Sequence, residues 1–328
     1  MNAELNFIEL LRGFATHPAA RGLADDAAVL EIGGARLILT HDSLVEGVHY
    51  LHSDPPETVA WKLLAVNLSD LAAKGGTPRG VMMSYTLCGD ADWDARFAAG
   101  LGAALAHFDV ALLGGDTVSA PSRVLGLTLI GEASGPVPAR SGAHSGDALF
   151  VTGVIGDAGL GLEIAKQLSR EGGSPEPKQK DSLIRTGLPP SRESDVLLAA
   201  YQRPQPQMAA GALLAPVVTA MMDVSDGLLI DAGRLAAASG LSAVIDLDAV
   251  PLSPAFRQKA GETREARLRA ATAGDDYQLL FTSALPLPSL PVAVTRIGKM
   301  TVGQGLILTD HDGPVALPEK LGWLHGLP

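Results

Sequence analysis

The stretch Ala65-Val66-Asn67-Leu68-Ser69-Asp70-Leu71-Ala72-Ala73-Lys74 carries two patterns at once. Ala60, Leu64, Leu68 and Leu71 form an apolar stripe at helical spacing, which predicts a core-anchored helix over residues 57–74. Asn67, Asp70 and Lys74 lie on another face, so Asp70 is placed to point into a site from an element fixed elsewhere. Outward from this helix, strands are predicted at 36–40, 80–87, 110–113 and 124–133, and helices at 4–14 and 93–108. The first of these strands is expected to end at His41-Asp42, and the third to run into Gly114-Gly115-Asp116. Pro136, Pro138 and the turn Arg140-Ser141-Gly142 mark a boundary between residues 1–137 and 138–328. Beyond it come strands at 148–152, 243–247, 277–282, 292–297 and 305–309, with helices at 157–168 and 227–238. Residues 171–192, rich in Gly, Pro, Lys, Glu and Ser, read as an exposed loop. Strands and helices alternate imperfectly, and neither a periodic repeat nor a dinucleotide fingerprint is present. The expected fold class is α+β, in two halves.

Aspartates beside glycines or small residues recur along the whole chain. They occur in Gly22-Leu23-Ala24-Asp25-Asp26, Thr40-His41-Asp42, Asn67-Leu68-Ser69-Asp70, Gly114-Gly115-Asp116-Thr117, Asp223-Val224-Ser225-Asp226-Gly227 and Gly274-Asp275-Asp276-Tyr277. Hard cations such as Mg²⁺ take oxygen ligands and are shared between carboxylates and substrate phosphates. Small neighbours let backbone and phosphate approach closely. Adjacent acids such as Asp25-Asp26 and Asp275-Asp276 repel each other unless a cation intervenes. The set reads as a multi-metal, nucleotide-phosphate site assembled from distant parts of the chain.

Composition narrows the alternatives. The net charge of −11 disfavours nucleic acid and anionic membranes as partners, and 4% aromatics leave little for base stacking. With 47% hydrophobic residues in 328, a large core is available. The single cysteine, Cys88, allows neither an intrachain disulfide nor a thiolate zinc site. No signal-peptide pattern opens the chain, and no segment reaches the roughly 18 apolar residues of a membrane span. The expectation is a cytoplasmic protein.

Each motif also has a plainer reading. An aspartate after a strand is commonly a turn former or a helix N-cap. Ser225 or Asp226 is such a cap candidate for the following helix, whose N-terminus also attracts phosphate. The run Gly153-Val154-Ile155-Gly156-Asp157-Ala158-Gly159-Leu160-Gly161 lacks the Gly-Lys-Ser/Thr ending of a phosphate loop and reads as a tight strand-to-helix turn. His41, His49 and His52 lack zinc-site spacing. His49 is a candidate substrate contact, His52 a surface residue. Arg140 is either solvated or a phosphate clamp.

Taken in order, the segments 40–50, 65–73, 114–117, 223–228 and 274–277 resemble thiamine-monophosphate kinase, of the aminoimidazole ribonucleotide synthetase-like superfamily. The resemblance runs from about residue 4 to Trp323. It implies a two-domain fold, with an N-terminal mixed sheet that forms dimers and a C-terminal α/β sandwich. It implies transfer of the ATP γ-phosphoryl group to thiamine monophosphate by direct in-line, Mg²⁺-assisted transfer, without a dedicated general base. By motif position, Asp26, Thr40, His41 (through its carbonyl), Asp42, Asp70, Asp116, Asp223 and Asp226 are the implied Mg²⁺ ligands. Gly115, Asp116, Arg140 and Ser225 are the implied ATP contacts, and His49, Asp275 and Trp323 the implied thiamine pocket. Asp42 and Asp116 are expected to be the most critical. The implied partners are ATP, thiamine monophosphate and a second copy of the chain.

The chain departs from the family pattern at Ala24, His41, Lys74, Gln207 and Gln278. Lys74, in place of a usual Met, is expected to pair with Asp70 at i+4 and weaken metal binding. Sister enzymes fit less well. Selenophosphate synthetase needs a reactive residue near the N-terminus, and the hydrogenase-maturation ATPase a C-terminal cysteine. Aminoimidazole ribonucleotide synthetase fits the His49 segment poorly. A catalytically silent binder is the rival of another class, and the intact aspartates argue against it.

Overall fold

The computed structural model describes residues 3–171, 192–284 and 286–324. Its N-terminal part comprises α1 (Ala3–Arg12), β1 (Ala28–Ile32), β2 (Ala35–Val45), α2 (Pro56–Ala73), β3 (Thr77–Leu87), α3 (Ala91–Phe108), β4 (Leu112–Ser119) and β5 (Val124–Ala133). The remainder comprises β6 (Ala148–Thr152), α4 (Asp157–Glu171), α5 (Arg192–Gln202), α6 (Met208–Leu214), β7 (Ala220–Val224), α7 (Leu228–Ala238), β8 (Ser242–Asp246), α8 (Pro254–Ala260), α9 (Arg264–Ala271), β9 (Gln278–Ser283), β10 (Val294–Thr301), β11 (Gly305–Asp310) and β12 (Gly313–Val315).

The strands form a five-stranded sheet, in the order β1-β2-β5-β3-β4, and a seven-stranded sheet, β12-β11-β8-β10-β6-β9-β7. Among the described residues, only the strand pairs β3–β4 and β8–β11 are parallel. The architecture is α+β, with mixed sheets and helices.

Helix α2 links the two layers. Leu63, Leu64, Leu68 and Leu71 pack with Ile38, Leu44, Val81, Leu125, Leu127 and Leu129 of the first sheet. Its last turn, Ala72 and Ala73, instead joins Met221, Leu279 and Phe281 of the second sheet and Ala210 and Leu214 of α6. A fully buried leucine of this kind contributes about 1.5–3 kcal/mol, so the helix is held from both sides. The second sheet is covered on both faces, as alternation requires. Leu280 and Met222 face α7, α8 and α9, whereas Leu279, Phe281 and Met221 face α2 and α6.

Two strands run further than the sequence suggests. β2 continues through His41-Asp42 to Val45, paired with β5 throughout. Its outward residues His41 and Ser43 are polar and exposed, which imitates a turn in sequence. β4 passes straight through Gly114-Gly115-Asp116. At Gly115 the φ is +159° and a Cβ would lie 1.9 Å from the Met83 carbonyl oxygen, so this glycine serves the close approach of β3. The loop expected at 171–192 falls, apart from its two ends, outside the described residues.

Candidate active site

The segment Asp223-Val224-Ser225-Asp226-Gly227, joining β7 to α7, is the hub of a cavity of about 610 Å³. Two distant segments donate three main-chain hydrogen bonds to it. Asp275 N–H reaches Ser225 O at 2.7 Å, Tyr277 N–H reaches Val224 O at 2.8 Å, and Trp323 N–H reaches Asp226 O at 2.8 Å. Asp275 and Tyr277 sit at φ +62° and +49°. Such conformations cost on the order of 1–3 kcal/mol each unless the surroundings impose them, and these hydrogen bonds do so. Gly274, at φ +79°, would place a Cβ 2.9 Å from Ser225 O.

The hub is shaped from beneath by a residue the sequence reading did not single out. Asp231, fully buried in the first turn of α7, accepts N–H bonds from Ser225 (3.1 Å), Asp226 (3.1 Å) and Gly227 (3.2 Å). Neither Ser225 nor Asp226 caps α7; the N-cap is Gly227, without a side-chain bond. The cap expected from sequence is therefore replaced by a carboxylate reaching back from within the helix. Arg234 bonds Asp231 at 2.8 Å and also pairs with Asp226. Burial pushes Asp231 up to about 6, while Arg234 pulls it toward its charged form.

Helix α2 supplies the opposite wall. Asn67 Oδ1 accepts the Asp42 N–H at 3.1 Å and the Thr40 hydroxyl at 3.3 Å, fixing β2 against the helix. Ser69 Oγ donates to Asp223 Oδ2 at 2.7 Å. Carboxylate oxygens of Asp26, Asp70 and Asp223 come within 4.8 Å of one another, and Asp42 lines the same cavity. Among the described residues, no Lys or Arg forms an ion pair with Asp42, Asp70 or Asp223. Burial, against the pull of His41 and with repulsion from Asp226 and Asp26, raises Asp42 to about 6; burial and neighbouring carboxylates hold Asp70 and Asp223 well above the usual carboxylate range. Uncompensated, converging carboxylates are the donor set of a hard divalent cation. The residues present fit Mg²⁺.

The cluster's margin already carries protein cations. Arg140 donates to Asp26 Oδ1 through Nε at 2.6 Å. Lys74 does not pair with Asp70, as its spacing suggested. It is the C-cap of α2, and its Nζ lies 2.5 Å from Asp25 Oδ1 and 2.7 Å from Asp26 Oδ2. Burial works to raise Asp25, but Lys74 and Arg21 outweigh it and hold the carboxyl below its ordinary value.

At the other end, the cavity is lined by His49, Asp275, Tyr277 and Trp323. Val45 N–H donates to His49 Nδ1 at 2.9 Å, which puts the proton of a neutral imidazole on Nε2. Lys62, a cation on the buried side of α2, donates to Asp275 Oδ2 at 2.7 Å and to His49 O at 3.1 Å. The Tyr277 hydroxyl donates to Asp275 Oδ1 at 3.1 Å. Lys62 was missed in sequence, although a lysine inside an apolar helix face was its signal. His52 is exposed and lies 2.9 Å from Glu46.

The cavity thus gathers Asp26, His41, Asp42, His49, Asp70, Arg140, Asp223, Ser225, Asp226, Asp275 and Trp323. Within it the His41 ring bonds Thr128 on the outer sheet face, 2.8 Å from Nδ1 to Oγ1. Thr40, Gly115 and Asp116 are not among the lining residues. Thr40 is buried against Asn67, and Gly115 and Asp116 lie on exposed β4. Their cross-strand alignment runs Asp42–Leu127–Met83–Gly115, three strand spacings, or roughly 14 Å.

Comparison with known proteins identifies the family of the chain. Residues 24–133 match the family described as AIR synthase related protein, N-terminal domain, and residues 144–311 match its C-terminal domain. The thiamine-monophosphate kinase of Caulobacter vibrioides is 36% identical over 325 residues, covering 94% of this chain and 86% of that protein. The solved structure of AaThiL complexed with AMPPCP and TMP superposes with a TM-score of 0.82 at 30% identity, covering 97% of this chain and 96% of that one. The thiamine-monophosphate kinase of Stenotrophomonas maltophilia gives a TM-score of 0.74 at 34% identity, covering 95% and 96%.

Proposed function

The chain belongs to the thiamine-monophosphate kinase family, and from that premise we propose that its cavity transfers the γ-phosphoryl group of ATP to the phosphate of thiamine monophosphate. The Pγ–O bond to the β-phosphate breaks, its electron pair leaves with ADP, and an acceptor phosphate oxygen bonds to Pγ, giving thiamine diphosphate. The observation that carries this reading is the convergence of the carboxylates of Asp26, Asp70 and Asp223 beside a helix N-terminus, in one cavity with Asp42, Asp275 and Trp323.

The chemistry asks for alignment rather than proton abstraction. A phosphate monoester with a second pKa near 6 is already mostly a dianion at neutral pH, so no general base is required. Asp42, Asp70 and Asp223, with Asp26 and Asp226 at the margin, would hold Mg²⁺. When bound, that ion neutralises two mutually repelling phosphate groups. Arg140, anchored on Asp26, adds a fixed positive charge at the triphosphate end. Ser225 and the start of α7 offer donors to phosphate oxygens. At the acceptor end, the Asp275 carboxylate and the Trp323 indole suit a cationic thiazolium. Lys62 and Tyr277 keep that carboxylate in place, and His49 offers an Nε2–H donor. A cytoplasmic reaction fits this reading, since ATP is the phosphoryl donor.

Gly115 and Asp116 fit the same reading through a second copy of the chain. β4 is an edge strand exposed along its length, with Leu112, Leu113 and Val118 at least half exposed. An uncovered apolar edge calls for a partner, and a homodimer formed through the N-terminal sheets would bring the partner's β4 toward this cavity. Asp42→Asn and Asp116→Asn proteins, each inactive alone, should then regain about a quarter of wild-type activity after subunit exchange, since half of the dimers carry one intact site. A mixture that stays inactive despite exchange would overturn this arrangement. For the transfer itself, label from γ-³²P-ATP should enter thiamine diphosphate, and ATP made chiral at the γ-phosphorus with oxygen isotopes should give inversion there. Retention, or labelled protein, would overturn direct transfer.

A further inference from the structure

Lys74 is a fully buried cation at the site, with its side chain 0% exposed. An ammonium has three protons to place, and three oxygens surround it, two of them accepting hydrogen bonds and Asp26 Oδ2 held as an ion pair alone. These are Asp25 Oδ1 at 2.5 Å, Asp26 Oδ2 at 2.7 Å and the Met221 carbonyl oxygen at 3.1 Å. Two carboxylates and a carbonyl are the oxygen donors that a hard divalent ion would otherwise take. The opposite oxygen of Asp26 is held by Arg140, so both of its oxygens face protein cations. Asp70 and Asp223, whose carboxylates converge on Asp26, have no such ion-pair partner among the described residues. The cluster is therefore divided into a margin neutralised by the chain itself and a centre left for ions from solution.

We propose that the Lys74 ammonium stands in for one divalent cation, so that this chain fills its acidic cluster with one ion fewer than it would with a neutral residue at position 74. Asp26 then acts as an anchored anion that positions Arg140, and metal loading falls to Asp42, Asp70 and Asp223. This rests on the reading that the cluster binds divalent ions with nucleotide, and the test separates the two ideas.

Mn²⁺ bound per protein chain is counted by electron paramagnetic resonance and equilibrium dialysis at saturating AMPPCP, without acceptor substrate. The variants are Lys74→Met, which keeps length without charge, and Lys74→Arg, which keeps the charge. The expected result is one additional Mn²⁺ in Lys74→Met and the wild-type count in Lys74→Arg. Equal counts in wild type and Lys74→Met would overturn the proposal while leaving the kinase reading intact. No Mn²⁺ in the wild type beyond that carried by nucleotide would overturn both. If Lys74→Met is unfolded without metal, its melting temperature must rise with Mn²⁺ by more than that of the wild type, because an added site stabilises the folded state by mass action. An equal or smaller rise contradicts the proposal.

Discussion

Single side chains at this site do their work through partners from other segments. Asp275 is the clearest case. Its carboxylate is bound by Lys62 from α2 and by Tyr277, and its backbone is pinned to Ser225. Substitution Asp275→Ala is expected to raise the KM for thiamine monophosphate about tenfold, or about 1.4 kcal/mol of lost binding, while AMPPCP affinity stays within about twofold. Steady-state kinetics with each substrate varied in turn checks this; a loss shared equally by both ligands would contradict a role confined to the acceptor end. Aspartates beside small residues were legible in sequence because their chemistry is unusual wherever they sit. Their counter-ions were not. Lys62 hides in an apolar stripe, and Lys74 pairs with Asp25 and Asp26 across 49 and 48 positions of chain rather than with Asp70 one turn away. Sequence spacing reports neighbours on one helix, whereas these contacts are tertiary.

Among the elements, α2 was legible almost to the residue, since Ala60, Leu64, Leu68 and Leu71 recur at helical spacing and Asp70 falls off that stripe, although the helix is buried on nearly every side. β2 and β4 were cut short. Polar residues on the outer face of β2 and paired glycines in β4 look like turns until cross-strand pairing decides the matter. β1, α5, α6, α8 and α9 were not foreseen, because each is short and depends on its surroundings for stability. The β7–α7 segment was recognised, but Asp231, which holds it, was not, because its acceptor role needs the folded loop above it. Asp231→Ala is expected to cost about 3 kcal/mol of stability, as its removal leaves three N–H groups without their acceptor and Arg234 with Asp226 as its remaining carboxylate partner. It should also weaken AMPPCP binding at least tenfold. Urea unfolding and calorimetric titration check both. Full affinity in a destabilised variant would show that the loop keeps its shape without this carboxylate.

For the whole molecule, concentrated acidity is a liability that the bound state relieves. Asp42, Asp70 and Asp223 have folded-state pKa values raised above 3.8, so the metal-free folded chain holds more protons than the unfolded chain. Its stability therefore falls as pH rises, between 3.8 and about 6 for Asp42 and over a wider range for the other two, by up to about 1.4 kcal/mol per group per pH unit. Asp25, whose folded value is lowered, acts in the opposite sense: its contribution is present above the unfolded value and lost as pH falls through the folded one. In EDTA the melting temperature should rise between about pH 7 and pH 5, and Mg²⁺ with AMPPCP should flatten that slope; identical slopes would contradict a metal role for the cluster. The central claim is that this cluster directs phosphoryl transfer onto thiamine monophosphate. The most direct test compares thiamine diphosphate formation from ATP, Mg²⁺ and thiamine monophosphate by wild type and by Asp42→Asn, both shown to be folded. The account predicts product from the wild type and a loss of at least about 100-fold in the variant, the scale of removing one preorganised electrostatic group. No product from folded wild type, or an undiminished rate in Asp42→Asn, would contradict it.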